Sequence, residues 1–149
     1  MDKKWNVYLS GEIHTDWREQ ISSGAVKAAL PVSFSSPVTD HGASDMCGVN
    51  ILGAEDKPFW QDRKGAGLNA IRTSTLISNA DVVVVRFGPK YKQWNAAFDA
   101  GYAAALNKPL IILHDPEHDH ALKEVDAAAN ATAATPEQVV DILKYVIAA

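Results

Sequence analysis

The feature that most constrains the fold is a pair of unbroken apolar runs separated by one helix-length segment. Asp81 to Phe87 holds the consecutive residues Val82, Val83, Val84 and Val85, and Pro109 to His114 holds Leu110, Ile111, Ile112 and Leu113. A strand with one wet face alternates apolar and polar residues, so runs that are apolar at every position suit strands covered on both faces, as in a parallel sheet. Between them, Trp94 to Asn107 is rich in alanine and places Trp94 and Phe98 one helical turn apart. It reads as the crossover helix of a β-α-β unit. Parallel strands need such crossovers, so the remainder of the chain must supply more strands and helices in alternation.

Trp5 to Ser10 reads as a strand ended by Gly11, after which Trp17, Ile21 and Ala25 recur at helical spacing. Asp16 and Glu19 are spaced as a capping box, which predicts a helix that begins there and fades at Gly24 or before Pro31. Val32 to Ser35 supplies a second strand, Glu117 to Ala129 a helix, and Ala131 to Ala134 a weak edge strand. Pro136 to Ile147 reads as an amphipathic closing helix, with Pro136 at a first helical position behind Thr135. Ser36 to Pro58 shows no periodicity and carries Pro37, Gly42, Gly48, Gly53 and Pro58, so it is either a long functional loop or holds a further element. The pattern as a whole predicts an α/β fold, a three-layer sandwich around a five-stranded parallel sheet in the flavodoxin-like order 2-1-3-4-5. Ligands bind such sheets outside the C-terminal strand ends where the order reverses, here between strands 1 and 3. That directs attention to Gly11 to Arg18 and Gly88 to Asp99.

The chain of 149 residues is sized for a single domain spanning 1–149, and 47% hydrophobic residues suffice to bury about 70% of the surface an unfolded chain exposes. Fourteen basic against eighteen acidic residues give a net charge of −4 with no basic block, which argues against a nucleic-acid polymer as partner. No stretch approaches the roughly 18 apolar residues of a membrane span, and Met1 to His14 is too polar for a signal peptide. Cys47 has no partner within the chain. A cytoplasmic protein acting on small polar or anionic metabolites is expected.

Several motifs have plain structural readings. Gly65-Ala66-Gly67-Leu68-Asn69-Ala70 matches the letters of a dinucleotide loop, but no strand precedes it, and a helix using small residues for close packing explains it better. His114, His118 and His120, interleaved with Asp115, Glu117 and Asp119, fit no standard zinc spacing. Acidic residues belong in the first turn of a helix, where they offset its dipole, so no metal and no cofactor is expected. His41, with Asp40 and Asp45, is similarly ambiguous, and Cys47 reads as a small buried apolar residue.

Other residues point toward chemistry. Glu12, His14, Asp16, Trp17 and Arg18 concentrate polar and aromatic groups after the first strand, although Asp16 also suits a helix cap. Arg86 ends the valine strand, where a charge needs a carboxylate such as Asp99 or an anion such as a substrate phosphate. Asn95 and Asp99 share one helix face, and Gly101 close by costs about 1 kcal/mol relative to alanine unless something approaches the backbone there.

Three strings carry a family resemblance: Tyr8-Leu9-Ser10-Gly11-Glu12-Ile13-His14-Thr15-Asp16-Trp17-Arg18, Asn69-Ala70-Ile71-Arg72-Thr73, and Gln93-Trp94-Asn95-Ala96-Ala97-Phe98-Asp99-Ala100-Gly101-Tyr102. With them the chain resembles the nucleoside 2-deoxyribosyltransferase superfamily, and more narrowly its YtoQ-like branch, over nearly its whole length. Ile77-Ser78-Asn79-Ala80, the valine strand and Lys108-Pro109 support the wider resemblance. In that superfamily a glutamate at the position matched by Asp99 attacks the anomeric carbon of deoxyribose and displaces the base, so the resemblance nominates Asp99 as nucleophile. Aspartate is shorter by one methylene, roughly 1.5 Å of reach. Two further superfamily carboxylates align with Thr73 and Gln93, neither of which is acidic, so their work would pass to Glu12 or Asp16.

The combined expectation is transfer or hydrolysis at the N-glycosidic bond of a nucleoside or nucleotide, with Asp99 as nucleophile and Glu12 or Asp16 as acid/base. Gly11, His14, Gly88 and Gln93 would line the site, Asn95 would contact a sugar hydroxyl, and Trp94 or Trp17 would stack on the base. Arg86 and Arg18 would hold a 5′-phosphate. The resemblance also implies a homo-oligomer with sites completed by a neighbour. The alternative is a non-catalytic nucleotide-binding or signalling module on the same fold, and a weaker one is a metal-dependent hydrolase using the histidine cluster. A phosphorelay receiver is disfavoured, because Arg86-Phe87-Gly88 offers no acceptor aspartate.

Overall fold

A computed structural model describes residues 3–147. The strands β1 (Trp5–Gly11), β2 (Val32–Ser35), β3 (Val82–Phe87), β4 (Leu110–His114) and β5 (Ala131–Ala133) form one sheet in the order β2-β1-β3-β4-β5. All its pairings are parallel, as the continuous apolar runs require, with Gly11 opposite Arg86 and Phe87 opposite His114. The helices are α1 (Trp17–Lys27), α2 (His41–Leu52), α3 (Pro58–Asn79), α4 (Trp94–Ala105), α5 (Lys123–Ala127) and α6 (Pro136–Ile147).

Strand alternation sorts the core into two layers. Val7, Leu9, Val82, Val84, Ile111 and Leu113 point to one face, where Trp17 and Ile21 of α1 and Val139 and Leu143 of α6 cover them. Tyr8, Val83, Val85, Phe87, Leu110 and Ile112 point to the other, against Ile77 of α3 and Ala96, Ala100 and Ala103 of α4. The α4 alanines follow at i, i+4 and i+7, a flat stripe that lets the helix lie close on the β-branched surface of β3. Each buried Val, Leu or Ile contributes about 1.5–3 kcal/mol, so these two layers supply the main drive for the fold.

Pro136 opens α6, and Thr135 Oγ1 accepts the Gln138 amide at 3.2 Å while Gln138 Oε1 accepts the Ala134 amide at 2.7 Å, a reciprocal cap. The expected capping box at α1 does not form. The Asp16 carboxylate instead accepts from Gln20 Nε2 at 2.7 Å, and the entry to α1 is held by Glu12, which accepts the amides of His14 and Thr15.

Two further segments depart from a plain loop and a single helix. The segment 36–58 contains α2, capped by Asp40, whose carboxylate accepts the Ala43 amide at 2.8 Å. This helix lies on α3 through glycine: a Cβ on Gly48 would sit 2.4 Å from the Gly65 amide nitrogen, so α2 carries no side chain at the crossing, while a Cβ on Gly65 would stand 3.1 Å from the Asp45 carbonyl oxygen. The Gly65–Gly67 string therefore lies within α3, where Gly65 packs on α2 and Gly67 faces open space. The helix expected over 117–129 is broken into a 3-10 turn, Pro116–His118, and the short α5, because Leu122 and Val125 must turn back onto the α4 face of the sheet.

Candidate active site

The site residues gather where β1 and β3 end. Gly11 has φ +114°, and a Cβ there would stand 2.1 Å from the Arg86 carbonyl oxygen, so only glycine lets the two strand ends close. The β3–α4 loop is closed by Gln93, whose Oε1 accepts the Gly88 amide at 3.1 Å and whose Nε2 donates to the Lys90 carbonyl at 2.6 Å. Tyr91 in that loop holds a left-handed φ of 59°, with its ring 4.9 Å from that of His14. The loops after β1 and β3 therefore meet across the crevice.

Asp99 projects from α4 toward the end of β1. Its Oδ2 accepts a hydrogen bond from Ser10 Oγ at 2.6 Å. Burial pushes the Asp99 carboxyl above the usual carboxylate range, and the Ser10 hydroxyl, bonding to the charged form, opposes that rise. Tyr8 lies two residues back on the same face of β1, and its buried hydroxyl has no hydrogen-bond partner. Burial pushes the Tyr8 pKa up to about 12; Asp99's charge adds to the rise, while the Thr73 hydroxyl close by and the Arg72 charge oppose it. Tyr8 is thus a neutral donor facing an aspartate, with Thr73 and Arg72 of α3 alongside. Asn95, one turn before Asp99, is exposed, as are Trp94 at 76% and Phe98 at 74%.

The other nominated residues occupy a second constellation. Glu12 is buried; besides the His14 and Thr15 amides it accepts from the Thr15 hydroxyl, and its Cγ would meet a Cβ on Gly88 at 2.8 Å. Arg86 reaches this carboxylate, Nε to Oε1 at 3.8 Å, and not Asp99 as expected, because alternation puts residue 86 on the α1 face with Val82 and Val84 while Asp99 lies on the α4 face. Arg18 is also buried, donating to the carbonyls of Leu9, Glu12 and Gly11 at 3.0, 2.7 and 3.1 Å. Its guanidinium thus ties down the strand end, which corrects the expectation that it holds a phosphate. Trp17, expected as a stacking surface, is a core residue with its Nε1 donating to the Glu12 carbonyl at 2.9 Å. Asp16 lines a surface groove of about 510 Å³ between α1 and α6 together with Glu19, Lys27 and Asp141, on the face of the sheet away from Asp99.

The structure therefore sets Asp99 with Asn95 and Trp94 on α4, spends Gln93 on closing the loop before it, and groups Gly88 with Glu12, His14, Arg18 and Arg86 around the turn after β1. Ser10 and Tyr8 were not among the expected site residues. Their signal was parity: positions 8 and 10 share the face of β1 that receives α4, and a buried serine at the end of an apolar strand needs a polar partner.

A sequence profile described as Nucleoside 2-deoxyribosyltransferase YtoQ matches residues 8–147. The chain belongs to this YtoQ family. It is 43% identical over 139 residues, 93% of this chain and 94% of the relative, to the uncharacterized protein YtoQ of Bacillus subtilis (strain 168). The fold of this YtoQ-family chain is shared by two solved structures at 14% identity. One is a 2-deoxyribosyltransferase from Bacillus psychrosaccharolyticus, with a TM-score of 0.55 over 91% of this chain and 90% of that one. The other is a conserved protein from Enterococcus faecalis V583, with a TM-score of 0.62 over 97% and 99%. No helix among the described residues is long and apolar enough to cross a membrane.

Proposed function

We propose that this YtoQ-family protein breaks the N-glycosidic bond of a 2′-deoxynucleoside or its nucleotide and passes the sugar to another base or to water. The observation that carries this reading is Asp99: a half-buried carboxylate at the switch point of the sheet, aimed by one short hydrogen bond from Ser10 and open on the side where Asn95, Trp94 and Phe98 stand. In the proposed step an Asp99 oxygen bonds to C1′ as the C1′–N bond breaks, and the departing base takes up a proton. A base or water then attacks C1′ and releases Asp99. Burial raises the free energy of the ionised carboxylate, which makes it the better nucleophile.

Asn95, one turn from Asp99, would contact a sugar hydroxyl, and the exposed Trp94 ring would stack on the base. Glu12 has its oxygens occupied by loop donors and Asp16 faces the groove behind the sheet, so the proton for the base comes from outside this cluster. A second copy of the chain seated on the exposed Tyr91, Trp94 and Phe98 would close the open side and supply it, and we include a homo-oligomer in the proposal. Incubation with a panel of 2′-deoxynucleosides and their 5′-monophosphates, with and without acceptor bases, tests the reading by chromatography of free base. Base release or exchange that Asp99→Ala abolishes is expected; no turnover of any member overturns it.

The alternative, a nucleotide-binding module without turnover, draws on Thr73 and Gln93. Gln93 is spent on closing its loop, and Thr73 stands beside Tyr8, so neither position brings an acid. That reading predicts thermal stabilisation by nucleotides with no base release.

A further inference from the structure

At the end of β4, one strand beyond the candidate active site, His114 is buried with its side chain 1% exposed. Its Nδ1 lies 2.7 Å from the Asp115 carbonyl oxygen and its Nε2 lies 3.0 and 2.9 Å from the two oxygens of Asp126. A carbonyl only accepts, so Nδ1 carries a proton. Nε2 then faces a carboxylate nearly symmetrically, and something positive must stand between them: a second proton or a metal ion.

Four observations favour the metal. A ring that donates Nδ1–H to a backbone carbonyl has its tautomer fixed with the Nε2 lone pair outward, the arrangement that orients a metal-binding histidine. A second carboxylate, Asp119, stands on the other side of the ring with its Oδ1 3.9 Å from Nδ1, and belongs to the same group, whose donor atoms all lie within 4.8 Å of one another. Among the described residues neither Asp119 nor Asp126 is paired with a lysine or arginine, so two neutral imidazoles and two carboxylates would balance one divalent ion. Finally, His118 has a buried Nε2 without a hydrogen-bond partner, and its ring centre is 6.4 Å from that of His114. Zn–N bonds of about 2.0–2.1 Å place two such ring centres roughly 5–6 Å apart, so a small rotation of His118 completes the set. For Asp119 the helix-dipole explanation is lost, since only a 3-10 turn spans Pro116–His118 and Asp119 follows its end, whereas Asp126 lies in the first turn of the short α5.

We propose that His114, His118, Asp119 and Asp126 bind one divalent transition-metal ion of the zinc class, pinning the turn after β4 to the strand end. The two-nitrogen, two-oxygen donor set suits zinc in tetrahedral coordination, and four protein ligands make it a structural site. The test uses the full-length, tag-free protein freed of metal by chelator. Titration with Zn2+ is expected to give one equivalent bound with micromolar or tighter affinity, and Co2+ the visible absorption of a four-coordinate ion. D119A and H118Q should each weaken Zn2+ binding by at least about tenfold while keeping the metal-free circular dichroism and urea midpoint of the parent. H41Q, which removes the exposed His41–Asp45 pair, should leave binding unchanged. Zn2+ affinity no tighter than millimolar, or binding indifferent to D119A and H118Q or abolished by H41Q, overturns the proposal. His114 and Asp126 are then a protonated imidazole bridged to a carboxylate.

Discussion

Ser10 and Asp99, 89 residues apart in sequence, are joined by a single hydrogen bond of 2.6 Å from the serine hydroxyl to a carboxylate oxygen. Ser10 is fully buried at the end of β1, and Asp99 comes from α4. The bond is charge-assisted and spans a strand and a helix that each pack firmly, so it fixes the carboxylate's direction relative to the sheet.

Ser10→Ala therefore tests positioning. A hydrogen bond to the charged form lowers a carboxyl pKa, so its loss raises the Asp99 pKa further. If the ionised carboxylate is the working form, the ascending limb of the pH–rate profile should move to higher pH. At its plateau kcat should fall about tenfold, near 1.4 kcal/mol, for the lost orientation. A steady-state pH profile of both proteins reads both effects.

Asp99→Asn separates catalysis from stability. The Asp99 carboxyl is raised above its ordinary 3.8, chiefly by burial, so on a rising pH scale the unfolded chain gives up this proton first. Stability contributed by the protonated group is present below 3.8 and is lost as pH climbs through the folded value. The amide should relieve this, leaving the Tm at neutral pH equal to or above the parent's while base release falls by about a thousandfold or more. A Tm lowered at neutral pH would contradict this electrostatic account.

Gly11→Ala carries the largest expected stability loss. The substituted residue would have to hold φ +114° with its Cβ 2.1 Å from the Arg86 carbonyl, so β1 and β3 must part at the active-site end. A loss of about 3 kcal/mol or more in urea unfolding is expected, several times the effect of a glycine-to-alanine change at unstrained positions.

The sheet was legible because its strands are buried on both faces, and an apolar run such as Val82–Val85 has no other economical reading. Helix α2 was not legible because it packs chiefly on α3, through Gly48, and leaves Ile51 and Leu52 exposed, so it has no apolar stripe to reveal its period. Asp99 stood out by its place on α4 and by resemblance, whereas the pairing of Arg86 required knowing which face each residue takes. Counting from Val82 and Val84 would have put Arg86 on the α1 face, away from Asp99. The break near His118 was hidden because acidic residues there satisfy the rule for a helix start equally well.

Asp81→Asn probes the opposite edge of the same strand pair. The Asp81 carboxylate accepts the Asn6 amide at 2.8 Å and pairs with Lys3 at 3.0 Å, while the Asp81 amide donates to the Asn6 carbonyl at 2.7 Å. The backbone bond from Asn6, with help from Lys3, holds the Asp81 carboxyl below its usual 3.8. The unfolded chain therefore takes up this proton first as pH falls. Its stabilisation is present above 3.8 and lost as pH drops through the lower folded value. Because the group borders solvent, the effect is screened, and the amide should cost no more than about 1 kcal/mol near neutral pH. The difference in urea midpoint between parent and variant should shrink toward zero in acid and diminish with added salt. A difference that persists below the folded pKa of Asp81 would show that shape, not charge, joins β1 to β3 at this end.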